Sequence, residues 1–280
     1  MDISFRKYHA LGNDFIVLDQ RRQKIPKRRV PRLALEMCNR RTGVGADGLL
    51  CLSASHRADC RMDVYNADGG WAEKSGNGLR ISAVYLSEQS RKVRELKIET
   101  GTSVDSARLI RRIAGGYIVR TELGKPEFET SKIPVRSRRR FVINSPLKIG
   151  SVNLPLTCVA VGNPHAVLLV ESFDFDWQAL GAEIETALPF PNGTNVEFVK
   201  VTDPGRIELA EWERGVGATG SCGTGAAAAV TSLVMMGLAE RRCEVVFDTG
   251  SLKVDWKTGT DIVEITGAVR FVMQGTYTFR

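Results

Sequence analysis

Two short segments of this 280-residue chain each combine a proton-exchanging side chain with a glycine-rich turn. One runs Asn66-Ala67-Asp68-Gly69 and then Ser75-Gly76-Asn77-Gly78-Leu79-Arg80; the other runs Glu213-Arg214-Gly215 and then Cys222-Gly223-Thr224-Gly225-Ala226-Ala227. In both, a polar residue follows a strand-like stretch, and nine positions later a Ser or Cys precedes Gly-x-Gly where a helix begins. Glycine lets the backbone approach a ligand closely, and a helix start presents unpaired N–H groups with a partial positive charge. That combination binds a carboxylate or a phosphate. A single copy reads equally well as a tight turn. Two copies, each led by a hydroxyl or a thiol, point to two related halves. If the halves face one another, both helix starts converge on one anion with Ser75 and Cys222 on opposite sides, a geometry suited to proton exchange at a carbon next to a carboxylate.

The elements that must position these segments are mostly short strands. Ile16–Leu18, Asp63–Tyr65, Leu96–Ile98, Tyr117–Arg120, Phe141–Ile143, Thr157–Val161, Val167–Val170, Val196–Val199, Arg206–Leu209, Val245–Phe247, Leu252–Trp256 and Ile262–Ile265 are rich in β-branched and aromatic residues, with Gly, Pro, Asn or Asp at their borders. Helices are expected from Asn77 to about Glu88, from Thr224 to about Gly237, and from Pro31 to Asn39. Many strands around few helices predict an α+β fold in which each sheet wraps a central helix. The repeat places the domains at residues 1–121 plus 267–280 and at 122–266, with crossings near Gly124-Lys125-Pro126 and Gly267. The last strand, Val269 to Phe279, is expected to return to the first domain.

Composition narrows the classes. The chain carries 39 Lys+Arg against 32 Asp+Glu, a formal charge of +7, and is 43% hydrophobic, enough for two domains to bury their own cores. No apolar run approaches the roughly 18 residues of a membrane span, and the first residues lack the apolar stretch of a secretory signal, so a cytoplasmic protein is expected. The 6 cysteines form no CxxC pair and the 3 histidines, His9, His56 and His165, are far apart, which argues against a disulfide framework and a metal site. Basic runs at 21–29 and 136–140 are the sole support for nucleic-acid binding. No helix-turn-helix, zinc-finger or aromatic RNA-binding pattern accompanies them.

Together, Tyr8-His9-Ala10-Leu11-Gly12-Asn13-Asp14-Phe15, Gly43-Val44-Gly45-Ala46-Asp47-Gly48, Asn66-Ala67-Asp68-Gly69, Ser75 to Arg80, Gly162-Asn163-Pro164-His165, Asn195-Val196, Glu213-Arg214-Gly215 and Cys222 to Gly225 resemble the diaminopimelate epimerase family in order and spacing. The resemblance implies two pseudo-symmetric domains with the active site in the cleft, no cofactor, and an amino-acid substrate inverted at its α-carbon. One thiolate takes the α-proton while a thiol returns a proton to the opposite face. By the same resemblance, backbone amides of Gly76, Asn77, Gly223 and Thr224 hold the reacting α-carboxylate. Asn66, Asn163, Asn195, Glu213 and Arg214 hold the distal amino-acid end, Asn13 lines the site, and a homodimer is suggested. Taken singly, the three asparagines read as turn residues, His165 as a structural hydrogen-bonder, and Glu213 with Arg214 as a surface ion pair.

The chain departs from the family pattern at position 75, where the resemblance calls for a second catalytic cysteine and Ser stands instead. A thiol starts near pKa ~8.5 and is expected to fall further at a helix start, whereas an aliphatic hydroxyl is about five units weaker, a difference of roughly 7 kcal/mol. Ser75 is therefore an engineered Cys→Ser change or the mark of a one-base variant. Such a variant would be a racemase of altered specificity or a dehydratase of hydroxy amino acids. Trp71, Lys74 and the absence of an acidic residue from Ala218 to Ser221 also depart from the pattern. Arg214 with Asn66, Asn163 and Asn195 favours LL- or meso-diaminopimelate or a close relative, because an apolar amino acid would leave them without a partner.

Overall fold

In a computed structural model of the chain, which describes residues 1–90, 94–101 and 103–279, period-two alternation of apolar and polar residues becomes strand and the two glycine-led segments become helix starts. The chain divides into two units, Met1–Glu122 with Thr266–Arg280, and Leu123–Ile265.

The first unit contains β1 (Asp2–Ala10), β2 (Asn13–Asp19), α1 (Val30–Cys38), β3 (Gly48–Ser53), β4 (Cys60–Asn66), β5 (Trp71–Ala72), α2 (Gly76–Gln89), β6 (Glu95–Glu99), β7 (Val104–Ile113) and β8 (Gly116–Gly124). β1 and β2 pair antiparallel, β2 and β3 parallel, β3 and β4 antiparallel, β4 and β6 parallel, and β6 and β7 antiparallel, while β5 folds back on β4. Every residue of α2 from Asn77 to Leu86 is buried. A helix buried on all sides belongs at the centre of a sheet that surrounds it, and α2 packs against β1 to β4, β6 and β7.

The second unit contains β9 (Ser145–Ile149), β10 (Val152–Ala160), β11 (Pro164–Leu169), α3 (Trp177–Glu185), β12 (Asn195–Asp203), β13 (Arg206–Glu213), β14 (Gly217–Thr219), α4 (Gly223–Met235), β15 (Arg242–Phe247) and β16 (Gly250–Trp256), followed by β17 (Val263–Thr278). The central helix here is α4, buried at every position from Gly223 to Leu233. Its Ala226–Ala229 run keeps the helix thin, so that β10 to β13, β15 and β16 can close around it. β17 then carries the chain back to the first unit, pairing with β1 from Asp2↔Thr278 to His9↔Arg270 and also with β8, which completes the ring of strands around α2.

The internal repeat is a repeat of topology. In the second unit β10 and β11 pair antiparallel, β11 and β12 parallel, β12 and β13 antiparallel, β13 and β15 parallel, and β15 and β16 antiparallel, with β14 folded back on β13. This is the order of directions of the first unit, strand for strand. α2 therefore matches α4, Asn66 at the end of β4 matches Glu213 at the end of β13, and Gly12-Asn13 at the entry to β2 matches Gly162-Asn163 at the entry to β11.

Phe141–Ile143 is not a strand, contrary to the sequence reading. Phe141 forms one isolated bridge with Glu129, and Asn144 at φ 41° turns the backbone out of the extended region directly afterwards. α3 carries no clear signal in the sequence. Its Asp176 N-cap accepts from the Ala179 N–H at 2.9 Å, but only Gly181 and Ile184 among its residues are buried, so its apolar stripe is weak.

Candidate active site

Ser75 is the N-cap of α2, extended at φ −139° and ψ 117°, and its Oγ accepts from the Gly78 N–H at 3.0 Å. A Cβ on Gly78 would lie 2.8 Å from the Leu50 side chain and 3.2 Å from Ser75 Oγ, so only glycine lets this turn close. A polar chain holds the residues beside it. Arg40 pairs with Asp47 at 2.7 Å, Asp47 accepts from Asn13 Nδ2 at 2.9 Å, and Asn13 Oδ1 accepts from Asn77 Nδ2 at 3.0 Å. Asn77 Oδ1 in turn accepts from the buried Arg80 guanidinium. Asn13 and Asn77 are thereby fixed by side chains of three further residues. Asn66 closes a turn through its backbone, which accepts from Gly69 and donates to Gly70, and its side chain has no hydrogen-bond partner among the described residues. Lys74 turns to Asp105 at 2.6 Å, and the exposed Trp71 ring lies against Gly101, where a Cβ would come within 2.6 Å of it.

Cys222 occupies the matching cap of α4, at φ −123° and ψ 128°, but its larger sulfur makes no cap hydrogen bond. The Thr224 hydroxyl lies 3.2 Å from Sγ. Burial, followed by the carboxyls of Glu213 and Glu211, pushes the thiol well above its ordinary range, against the smaller opposing pull of the Thr224 hydroxyl and the Gly225 N–H. The fall expected from the helix start is therefore outweighed, first by burial and then by the carboxyls of Glu213 and Glu211 beneath the start of α4; of these, the sequence did not single out Glu211.

Around it, Glu213 Oε1 accepts from the Thr219 hydroxyl at 2.6 Å. Arg214 donates its backbone N–H to Asn195 Oδ1 at 2.9 Å and Nη1 to the Asn192 carbonyl at 3.2 Å. Its exposed guanidinium has no ion-pair partner among the described residues, so it is not the surface pair with Glu213 that the sequence alone allowed. Gly193 makes room for its stem, because a Cβ there would lie 3.0 Å from Arg214 Cδ. The loop is also tied to α3, where Glu185 accepts from Trp212 Nε1 at 2.6 Å and from the Gly215 N–H at 2.8 Å. Asn195 is buried and uses its amide on protein, donating to the Pro164 carbonyl at 2.8 Å while holding Arg214. Asn66, Asn163 and Asn195 all have ordinary negative φ, so none is there to supply a left-handed turn.

His165 is fully buried, with Nδ1 2.6 Å from Glu197 Oε1 and Nε2 2.9 Å from Asn163 Oδ1. Burial holds the imidazole down to about 3 and pushes Glu197 well up, so both are neutral at pH 7. Asn163 Oδ1 can only accept, so the ring proton is on Nε2 and the Glu197 hydroxyl donates to Nδ1. Sequence analysis had named His165 as a structural hydrogen-bonder but not Glu197, Glu211, Thr219 or Glu185. The alternation of Glu211 and Glu213 on one face of β13 was the signal available.

The fold has solved counterparts. A phenazine biosynthesis protein of the PhzF family from Bacillus anthracis superposes with a TM-score of 0.71 at 16% identity, covering 100% of both chains. A hydroxyproline epimerase from Agrobacterium vitis gives 0.69 at 17% identity, covering 99% of this chain and 91% of its own. The two topologically matching units, each a sheet around a helix, share the overall fold of these two proteins. Sequence relationship is closer still to another group. The family model described as diaminopimelate epimerase matches residues 5–107 and 157–272. The diaminopimelate epimerase of Pelotomaculum thermopropionicum is 40% identical over 278 residues, 99% of each chain. That of Caldanaerobacter subterraneus subsp. tengcongensis is 41% identical over 275 residues, 97% of this chain and 98% of its own. The chain belongs to the diaminopimelate epimerase family and is an isomerase of the epimerase type.

Proposed function

We propose that the chain inverts the α-carbon of LL- or meso-diaminopimelate, or of a closely related amino acid, by removing and returning a proton on opposite faces. The observation that carries this reading is the matching pair of helix starts, Ser75 on α2 and Cys222 on α4, at equivalent points of two equivalent topologies. In this reading the N–H groups of Gly76, Asn77, Gly223 and Thr224 receive the α-carboxylate and spread the charge that develops when the α-proton leaves. Arg214, exposed and without an ion pair among the described residues, takes the distal carboxylate, with Asn66, Asn163, Asn195 and Glu213 around the distal ammonium and Asn13 at the wall. Thiol, hydroxyl and amides carry all the chemistry, so the reading calls on no cofactor.

Burial and the neighbouring carboxyls favour the neutral thiol at Cys222. The substrate ammonium, arriving beside Glu213 and Cys222, offsets the negative surroundings and favours the thiolate that takes the α-proton. Ser75 supplies the proton on the other face. Its conjugate base lies roughly 7 kcal/mol above a thiolate, which makes the Ser75 face the slow one. A homodimer and a cytoplasmic location go with the family resemblance. Chiral chromatography of LL-diaminopimelate incubated with the protein tests the reading. Appearance of the meso form supports it, and an unchanged LL form over long incubation with folded protein refutes it.

A further inference from the structure

The first turn of α4 stands on two carboxyls that the reaction outlined above does not use. Glu197 and Glu211 face one another directly across the antiparallel β12–β13 pair, and each is 1% exposed. A Cβ built on Gly225 would lie 3.0 Å from Glu197 Oε1 and 2.6 Å from Glu211 Oε2, so both acids reach the same spot beneath the helix start. Among the described residues neither pairs with a Lys or Arg. Among the described residues, the buried Glu197 Oε2 and Glu211 Oε2 have no hydrogen-bond partner. Two ionised carboxylates this close and this buried, with no Lys or Arg beside them, would be prohibitively unstable.

Hydrogen-bond directions give each proton a place. Glu197 donates to His165 Nδ1 because His165 spends its ring proton on Asn163. Thr219 lies between two acids, 2.6 Å from Glu213 Oε1 and 3.2 Å from Glu211 Oε1, and it has one proton to give. The shorter bond takes it. Glu211 then fits as the donor to the Thr219 oxygen.

We propose that Glu211 is a positioning residue for Cys222, kept as a neutral acid through Thr219 so that Glu213 alone presents a negative charge to the thiol. The groups around it are Glu197 on β12, Glu213 on β13, Thr219 on β14, and Cys222 with Thr224 on α4, with His165 on β11 behind Glu197. Were Glu211 ionised, a second buried charge would face Cys222 and suppress its thiolate. Burial acts in the same direction, raising Glu211 well above the ordinary carboxylate range.

The inference rests on Cys222 as the working acid and base, but its test reads proton positions without turnover, so its failure is separable from failure of the epimerase reading. In the wild-type chain at pH 7 the infrared spectrum should contain the carbonyl band of protonated carboxylic acids, and Glu211→Gln should remove part of it. Iodoacetamide alkylation of Cys222 at pH 8 should stay within about twofold in Glu211→Gln, a neutral-for-neutral exchange, and become about tenfold faster in Glu213→Gln, which removes a charge. Glu211→Ala should lose activity that Glu211→Gln keeps, since Gln still donates to Thr219. Absence of the protonated-acid band, a band unchanged in Glu211→Gln, or a tenfold faster alkylation in that variant overturns the proposal. Absence of the band in the unmodified chain overturns the proposal without a variant, and where Glu211→Gln does not fold, Glu197→Gln should keep the part of the band that Glu211 supplies.

Discussion

Replacing Ser75 by Cys should trade stability for rate, and the structure sets both magnitudes. Ser75 Oγ caps α2 through the Gly78 N–H at 3.0 Å, whereas the sulfur of Cys222 makes no cap bond from the same position on α4. Losing such a cap costs about 1 kcal/mol, or roughly 2–4 °C in the melting temperature of a chain of this size. The extended backbone at Cys222, within some 20° of that at Ser75, already accommodates a thiol there, so the substitution should fold. In the other direction, the acid on that face becomes stronger by about five pKa units, roughly 7 kcal/mol for complete proton transfer. If about half of that is expressed in the transition state, the barrier falls by ~3–4 kcal/mol and inversion accelerates some 10²–10³-fold, wherever the Ser75 face limits the rate. The assay is the initial rate of LL-to-meso conversion by chiral chromatography, with thermal denaturation run in parallel. A folded Ser75→Cys protein whose rate is unchanged or lower would refute the assignment of position 75 as the second proton-exchanging group.

Other perturbations should separate the parts of the account. Arg214→Lys should raise KM for diaminopimelate by about 10–100-fold with a smaller change in kcat, because an ammonium cannot reproduce a bidentate grip; steady-state kinetics check this. Ala228→Leu places extra volume on a helix with no exposed face at that point, and urea denaturation should show a loss of about 1–3 kcal/mol. His165 titrates near 3 when folded and at about 6.5 when unfolded, so the unfolded chain binds more protons between those values. Stability should therefore fall with acidification across that window by about 1.4 kcal/mol per pH unit, and denaturation of His165→Gln should lack that slope. Glu211 has the opposite sign: its raised pKa makes stability fall as pH rises above about 4.5, and Glu211→Gln should flatten that limb.

The sequence revealed the central helices because glycine, a capping side chain and an unbroken run of small or apolar residues coincide at Ser75–Leu86 and Cys222–Leu233. The strands were legible where β-branched residues cluster. They were not legible at Phe141–Ile143, where local composition favours extension but Asn144 turns the backbone away. α3 escaped because two buried residues make no periodic signal. At the candidate site, glycine spacing singled out Ser75 and Cys222, and the resemblance supplied the positions of Asn13, Asn66, Asn163 and Asn195 without their local bonds. That Asn195 is committed to Pro164 and Arg214 depends on strands far apart in sequence meeting in register. Glu197 was invisible for the same reason, and the Glu211–Glu213 alternation did not by itself show that Glu211 is buried. An acidic residue in a strand reads as solvent-facing until its partner strand and the helix above it are known.

The central claim is that Cys222 takes a proton from the α-carbon of a diaminopimelate, and its most direct test is α-deuterium incorporation. LL-diaminopimelate incubated with the protein in deuterated water should lose its α-proton signal by NMR, and Cys222→Ala should abolish that loss while remaining folded. Retention of the α-proton by the wild-type chain, or exchange that survives in Cys222→Ala, would contradict it.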